Sequence, residues 1–226
     1  MDSNMNCWLK ESCRKYQETS TCPNSCIKFI KLNYLYENAF IPVNQRNKIK
    51  LYADKIDSES FRQLKNIEDT IDTFVAAGSN AYIYSETTGN GKTSWSLRIL
   101  QSFFDKIWPT TGLRCRALFI SVPKFFISLK QSLSEYSEYI DHIKKNIQTA
   151  DLVIWDDIGT KMGTEFECEN LLNIIDNRIS LHKSNIYTSN IAPEELEERL
   201  GMRLYSRIIN NSNMIHLQGT DKRGLV

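Results

Sequence analysis

The 226-residue chain is expected to be an α/β protein, with a parallel sheet covered by helices on both faces. Three observations predict this. Short apolar runs alternate with amphipathic stretches from Gly78 onward. A glycine-rich turn, Thr88-Gly89-Asn90-Gly91-Lys92-Thr93, stands between the first run and the next helical stretch. A later run, Leu152-Val153-Ile154-Trp155, ends in two acids, Asp156 and Asp157.

The elements follow in order. Phe29 to Phe40 carries Leu32, Leu35 and Tyr36 at helical spacing and is expected to be a helix packing on the cysteine-rich segment before it. Asn38 to Asp57 is polar, with Pro42 near its start, and is expected to be a linker. Phe61, Leu64, Ile67, Ile71, Phe74 and Val75 recur at three and four residues, which predicts one amphipathic helix running out near Gly78. Tyr82-Ile83-Tyr84 is the first strand. The glycine turn leads into a helix through Trp95, Ile99, Phe103 and Ile107. Leu118 to Val122 is the second strand, followed by helices over Phe125 to Leu133 and Glu138 to Ile147. Leu152 to Trp155 is the third strand. Cys168, Leu171, Leu172, Ile175 and Ile179 share one helical face. Asn185 to Thr188 is the fourth strand, helices follow Pro193, and Met214 to Leu217 is the last strand. No internal repeat or low-complexity segment is present.

Composition narrows the function classes. With 28 Lys+Arg against 27 Asp+Glu and 41% hydrophobic residues, the chain is neither disordered nor a bulk-basic nucleic-acid binder. No run reaches the roughly 18 apolar residues of a membrane span. Met1 to Lys10 lacks the apolar centre of an export signal, so a cytoplasmic location is expected. Residues 1–56 hold nine basic and five acidic side chains, and residues 57–226 hold 19 and 22. A basic arm on a slightly acidic body is one reading, and chance is the other.

Cys7, Cys13, Cys22 and Cys26 fall within 20 residues. Structural disulfides do not suit a reducing cytosol, whereas four thiolates suit tetrahedral Zn²⁺. The gaps are C-x5-C-x8-C-x3-C, the first looser than usual. A disulfide pair or unliganded thiols are the alternatives. So short a segment would draw its folding energy from the metal. Cys115 and Cys168 are expected to be small buried hydrophobes.

The glycine turn has the residues of a phosphate-binding loop. Gly89 and Gly91, with Asn90 between them, let backbone N–H groups face an anion at the start of a helix. Lys92 would reach the β- and γ-phosphates, and Thr93 would ligate Mg²⁺. One feature departs from the full motif: Glu86 stands where its first glycine would be. A carboxylate there must point away from phosphate. Asp156 and Asp157 at a strand tip are placed to hold Mg²⁺ and to orient the attacking water, respectively. A strand end followed by a solvated turn is the alternative. Tyr187-Thr188-Ser189-Asn190 closes the next strand with polar residues that could contact the γ-phosphate and the water. Arg203 and Arg207 lie four apart on one helix face, either as a solvated, ion-paired surface or as a face meeting a neighbour's nucleotide.

The joint order of Thr88-Gly89-Asn90-Gly91-Lys92-Thr93, Leu152-Val153-Ile154-Trp155-Asp156-Asp157-Ile158-Gly159, Tyr187-Thr188-Ser189-Asn190 and Arg203-Leu204-Tyr205-Ser206-Arg207-Ile208 resembles the DnaC/DnaI family. These are AAA+ ATPases that load replicative helicases, many of them phage-encoded. The likeness spans residues 60–226. It implies an AAA+/ASCE P-loop NTPase sheet with a reduced lid, ATP or ADP with Mg²⁺, and Mg²⁺ ligation by Thr93 and Asp156. It further implies Asp156 and Asp157 as the acidic pair, with Asp157 catalytic toward the attacking water, Asn190 as the first sensor, and Arg207 as an arginine finger acting on a neighbouring subunit, with Arg203 adjacent. Asp221-Lys222-Arg223 resembles the family's C-terminal segment, which makes Arg223 a nucleotide-contact candidate.

The same resemblance implies a slow ATPase acting as a switch, self-association, and partners in the hexameric replicative helicase and single-stranded DNA. It also implies an organisation of residues 1–40 as a zinc-binding helicase-interaction module, 41–57 as linker and 58–226 as the AAA+ domain. Candidate DNA contacts are Lys124, Lys130, Lys144, Lys145 and Lys161, each of which could equally be a solvated charge. Other readings are a DnaC-like ATPase partner of a transposase, a DNA-binding adaptor with a vestigial ATP site, and a small-molecule kinase, for which the C-terminus offers little lid.

Overall fold

The computed structural model describes residues 7–19, 26–52 and 54–222. Ten α-helices and five strands follow one another among them: α1 (Arg14–Thr19), α2 (Ile27–Asn38), α3 (Ser58–Asp69), α4 (Ile71–Ala76), β1 (Asn80–Tyr84), α5 (Lys92–Ile107), β2 (Ala117–Ser121), α6 (Val122–Gln131), α7 (Glu138–Asn146), β3 (Leu152–Asp156), α8 (Glu165–Ser180), β4 (Ser184–Ser189), α9 (Pro193–Leu200), α10 (Met202–Ile209) and β5 (Ser212–His216). The strands form one sheet in the order β2-β3-β4-β1-β5, with every neighbouring pair parallel. This is the expected covered parallel sheet.

Alternation along the strands divides the core into two layers, because successive side chains leave a strand on opposite faces. Ala81, Ile83, Leu152, Ile154, Ile186 and Ile215 pack with α2, α3, α4 and α5. Tyr82, Leu118, Ile120, Val153, Trp155 and Tyr187 pack with helices α6 to α10. β2 and β3 are largely buried on both faces, which is why they read as apolar runs. Trp155 is fully buried and donates Nε1–H to Asn185 Oδ1 at 3.1 Å. Arg178, also fully buried, binds the carbonyls of Ile147, Ala150 and Ser184, tying α8 to the ends of α7 and β4.

The expected single helix over Phe61 to Val75 is two helices. The backbone breaks at Thr70, at φ −109° and ψ 25°, and the apolar spacing carries on across the break. The helix after Cys26 also does more than expected. Its Leu32, Leu35 and Tyr36 enter the sheet layer with α5. Trp8 meets Tyr36 edge-on at 5.1 Å, and Tyr36 meets Phe104 of α5 at 5.0 Å. The expected linker is held along α5. Gln101 donates to the carbonyls of Gln45 and Asn47, and Arg98 donates to that of Ile49. Arg98 also pairs with Glu68 of α3 at 2.7 Å. Burial works against the Glu68 charge, but Arg98 and Lys65 outweigh it and hold the carboxyl below its ordinary range.

Cys115 is buried as expected, and burial pushes its thiol up to about 11. Cys168 is half-buried against the second layer. No helix among the described residues is long and apolar enough to cross a membrane.

Candidate functional site

Strand order assembles the site. β1 lies between β4 and β5, and β3 lies beside β4, so the carboxyl ends of β1, β3 and β4 stand side by side. Open parallel sheets bind ligands at this edge. The loop after β1 runs from Ser85 to Gly91 and feeds directly into α5.

The loop is held from inside. Ser85 N–H extends the ladder to Ser189 O at 3.2 Å. Ser85 Oγ accepts from Thr87 N–H at 3.1 Å and from the Asn90 amide, which also donates to Leu217 O at 3.1 Å. Gly91 sits at φ +107° and Gly89 at φ +75°, conformations that a side chain disfavours. Gly91 needs its glycine for backbone angle alone, since a Cβ there would meet nothing within 4 Å. A Cβ on Gly89 would fall 1.9 Å from Asp221 Oδ1. The Lys92 ammonium is buried and folded back onto the loop, bonded to Thr87 O at 2.9 Å, Ser85 O at 3.2 Å and Asn90 Oδ1 at 3.3 Å.

The two acids meet this loop. The Thr93 hydroxyl donates to Asp156 Oδ1 at 2.9 Å, and the Thr188 hydroxyl donates to the same oxygen at 2.7 Å. Asp156 is buried, and burial raises its pKa. The Thr188 bond opposes this, the Asp157 charge adds to it, and Thr93 and Lys92 oppose it further. Asp157 adopts φ +59°, a left-handed conformation that Asp and Asn tolerate best among residues with side chains. Its N–H donates to Thr188 Oγ1 at 3.0 Å, and its Oδ1 accepts from the Asn190 amide at 3.0 Å. The expected residues Asp156, Asp157 and Asn190 are thus brought together with Thr93.

Glu86 turns to the side. Its carboxylate accepts from His216 Nε2 at 3.1 Å, and the His216 ring stacks on Tyr84 at 4.4 Å. Its own backbone N–H, then His216, holds the carboxyl below its ordinary range.

Sequence reasoning missed a strap on the loop. After β5, Lys222 N–H donates to Gly89 O at 2.9 Å. The carboxylate of Asp57 accepts from Gln218 N–H at 2.6 Å and Gly219 N–H at 3.0 Å, and Asp54 accepts from Thr220 N–H at 3.1 Å. Asp57 occupies the N-cap of α3 yet caps nothing there; its oxygens serve the C-terminal segment instead. Lys50, Leu51, Tyr52, Trp95 and Lys222 line a cavity of about 200 Å³ against Gly89 to Gly91. A larger apolar groove of about 450 Å³, lined by Met162, Cys168, Leu172, Leu200 and Met202, contains neither the loop residues nor Asp156 and Asp157.

Other expected residues lie apart. Arg207 is exposed on α10 and pairs with Asp176 of α8; Arg203, also exposed, lines the apolar groove. Arg223 lies outside the described residues, as does Cys22. Among the described residues no group of three or more His, Cys, Asp or Glu side chains could hold a metal ion, and Cys22, one of the four expected zinc ligands, lies outside them. Thr93 and Asp156 offer adjacent hard oxygens, which fit Mg²⁺ when phosphate oxygens complete the shell. Of the lysines considered for DNA, Lys130 and Lys161 face Glu167, Lys145 pairs with Asp141, and Lys124 lies over the Tyr139 ring at 4.5 Å.

No protein-family model matches the chain, and a search of curated proteins finds no relative. Solved structures do match. The DnaC helicase loader superposes with a TM-score of 0.61 at 16% identity, over 76% of this chain and 96% of that one. A putative primosome component from Streptococcus pyogenes serotype M3 gives 0.63 at 21% identity, over 84% and 98%. The replication initiator DnaA bound to AMPPCP and single-stranded DNA gives 0.56 at 19% identity, over 73% and 47%. At these identities the likeness speaks for architecture: this chain has the AAA+ P-loop NTPase fold shared by DnaC and DnaA.

Proposed function

We propose that the chain is an ATP-driven switch that loads a replicative DNA helicase onto single-stranded DNA. The observation that carries this reading is the convergence of Lys92, Thr93, Asp156, Asp157 and Asn190 at one sheet edge, in a chain with the fold of the DnaC helicase loader. The DnaA neighbour, solved with AMPPCP and single-stranded DNA, supports both ligand classes.

The residues divide the work. Lys92 exchanges the carbonyls of Ser85 and Thr87 for phosphate oxygens. The amides of the loop and the start of α5 present positive charge to the same anion. Thr93 and Asp156 would hold Mg²⁺, which would supply positive charge to offset that of the phosphates. Asp157 keeps Oδ1 on Asn190, and its second oxygen orients the attacking water and takes its proton. The cavity walled by Leu51, Tyr52 and Trp95 takes the base. Arg207, exposed on α10, reaches the nucleotide of a second copy once Asp176 releases it, with Arg203 alongside. Hydrolysis is slow in isolation and rises with DNA or helicase. The segment before residue 57 is the helicase-binding arm.

Light scattering on a sizing column, with the host's replicative helicase and either ATP or ADP, tests the reading. A co-eluting complex whose mass responds to nucleotide is expected. A folded chain that forms no complex in either state contradicts it, and favours the transposase-partner or adaptor readings.

A further inference from the structure

Thr188 is bonded to both acids. It is fully buried in β4, between Tyr187 and Ser189. Burying a hydroxyl gains nothing over burying a methyl unless the oxygen is bonded, so valine would serve the strand as well. The Thr188 hydroxyl bonds in both directions. An ionised carboxylate can only accept, so the hydroxyl proton goes to Asp156 Oδ1 at 2.7 Å. A lone pair then accepts the Asp157 N–H at 3.0 Å. The Thr188 carbonyl takes Ile158 N–H at 2.9 Å, and Ser189 Oγ donates to Ile158 O at 2.7 Å. The turn carrying both acids is therefore fastened to β4, and the fastening includes the left-handed Asp157.

We propose that Thr188 is a positioning residue that sets the two acids together. Its O–H aims Asp156 at Thr93, and its lone pair turns Asp157 toward Asn190. One side chain thereby aligns the metal-holding acid with the water-facing acid. The inference rests on the nucleotide reading of the site.

The test compares the full-length wild type with Thr188→Val, which removes the oxygen at nearly equal volume, and Thr188→Ser, which keeps it. The affinity for a fluorescent ADP is measured with Mg²⁺ and with EDTA, alongside ATP turnover. The valine variant is expected to lose about tenfold or more of the Mg²⁺-dependent gain in affinity, the worth of one hydrogen bond to a charged group. Its affinity in EDTA stays at the wild-type value, a split that general damage to the fold would not produce. Turnover falls in the same variant, and the serine variant restores both. Should Thr188→Val not fold, Thr188→Cys, a weak donor of similar size, replaces it and is expected to show a partial loss. A valine variant with the wild-type Mg²⁺ gain overturns the inference, as does a serine variant as impaired as the valine one. A wild-type chain with no nucleotide affinity overturns the nucleotide reading itself, and this inference with it.

Discussion

Thr93 and Asp156 are 63 residues apart in the chain, and the Thr93 hydroxyl donates to Asp156 Oδ1 at 2.9 Å. The contact exists because β1 and β3 both flank β4, which places the start of α5 against the tip of β3. Two motifs that are separate in sequence become one site.

Asp157→Asn separates chemistry from conformation. Asparagine tolerates the left-handed backbone that Asp157 adopts at φ +59°, so the turn keeps its shape. Nucleotide affinity is expected to stay within a factor of about two, while turnover drops by about 100-fold or more, the usual cost of losing a general base. Single-turnover hydrolysis beside a binding titration checks this, and wild-type turnover would sink the role.

Arg207→Ala should leave both the fold and nucleotide affinity intact. The Arg207–Asp176 pair is about half exposed on both sides, and such pairs contribute about 0–1 kcal/mol. Hydrolysis should fall by about 1,000-fold if the arginine acts on a neighbouring subunit. Mixing the variant with a Lys92→Ala chain is then expected to recover part of the activity, because each supplies what the other lacks.

Asp57→Ala removes the acceptor of two backbone N–H groups in the strap. With Asp57 fully buried, the expected loss is about 1–3 kcal/mol of stability, read by urea denaturation. Nucleotide affinity should weaken with it, because the strap bonds to Gly89 O and its Leu217 carbonyl holds Asn90. Unchanged affinity in a destabilised variant would confine the strap to a structural role.

Asp151 gives the fold an acid-sensitive contact. Burial opposes its charge, but Lys183 at 2.8 Å and Arg116 outweigh burial and hold the carboxyl below its ordinary value. A carboxyl depressed in the folded state stabilises fully above its unfolded pKa of about 4, and that share disappears as pH falls through the folded value. Asp151→Asn should therefore cost about 1–3 kcal/mol at neutral pH, and the gap to wild type should narrow in acid below about pH 4. A gap that stays constant with pH would contradict the pairing.

Much of this was legible in the residues. The five strands could be read because a sheet covered on both faces demands apolar runs, and the chemistry sat at the ends of those runs. The break at Thr70 was hidden because Ile67 and Ile71 keep the helical spacing across it. The strap was hidden for another reason. Asp54 and Asp57 bind backbone N–H groups more than 160 residues away, and such bonds leave no period in the sequence. Glu86 looked hostile to phosphate until His216, 130 residues on, appeared beside it. Thr188 was visible as part of a polar strand end, but its two bonds depend on the register of β4 against β3.

The most direct test is calorimetric titration of ATP with Mg²⁺ into the wild-type chain and into Lys92→Ala. One site per chain in the wild type, and no measurable heat of binding in the variant, is the predicted result. Equal binding by both chains would contradict the claim that the loop after β1 is the nucleotide site.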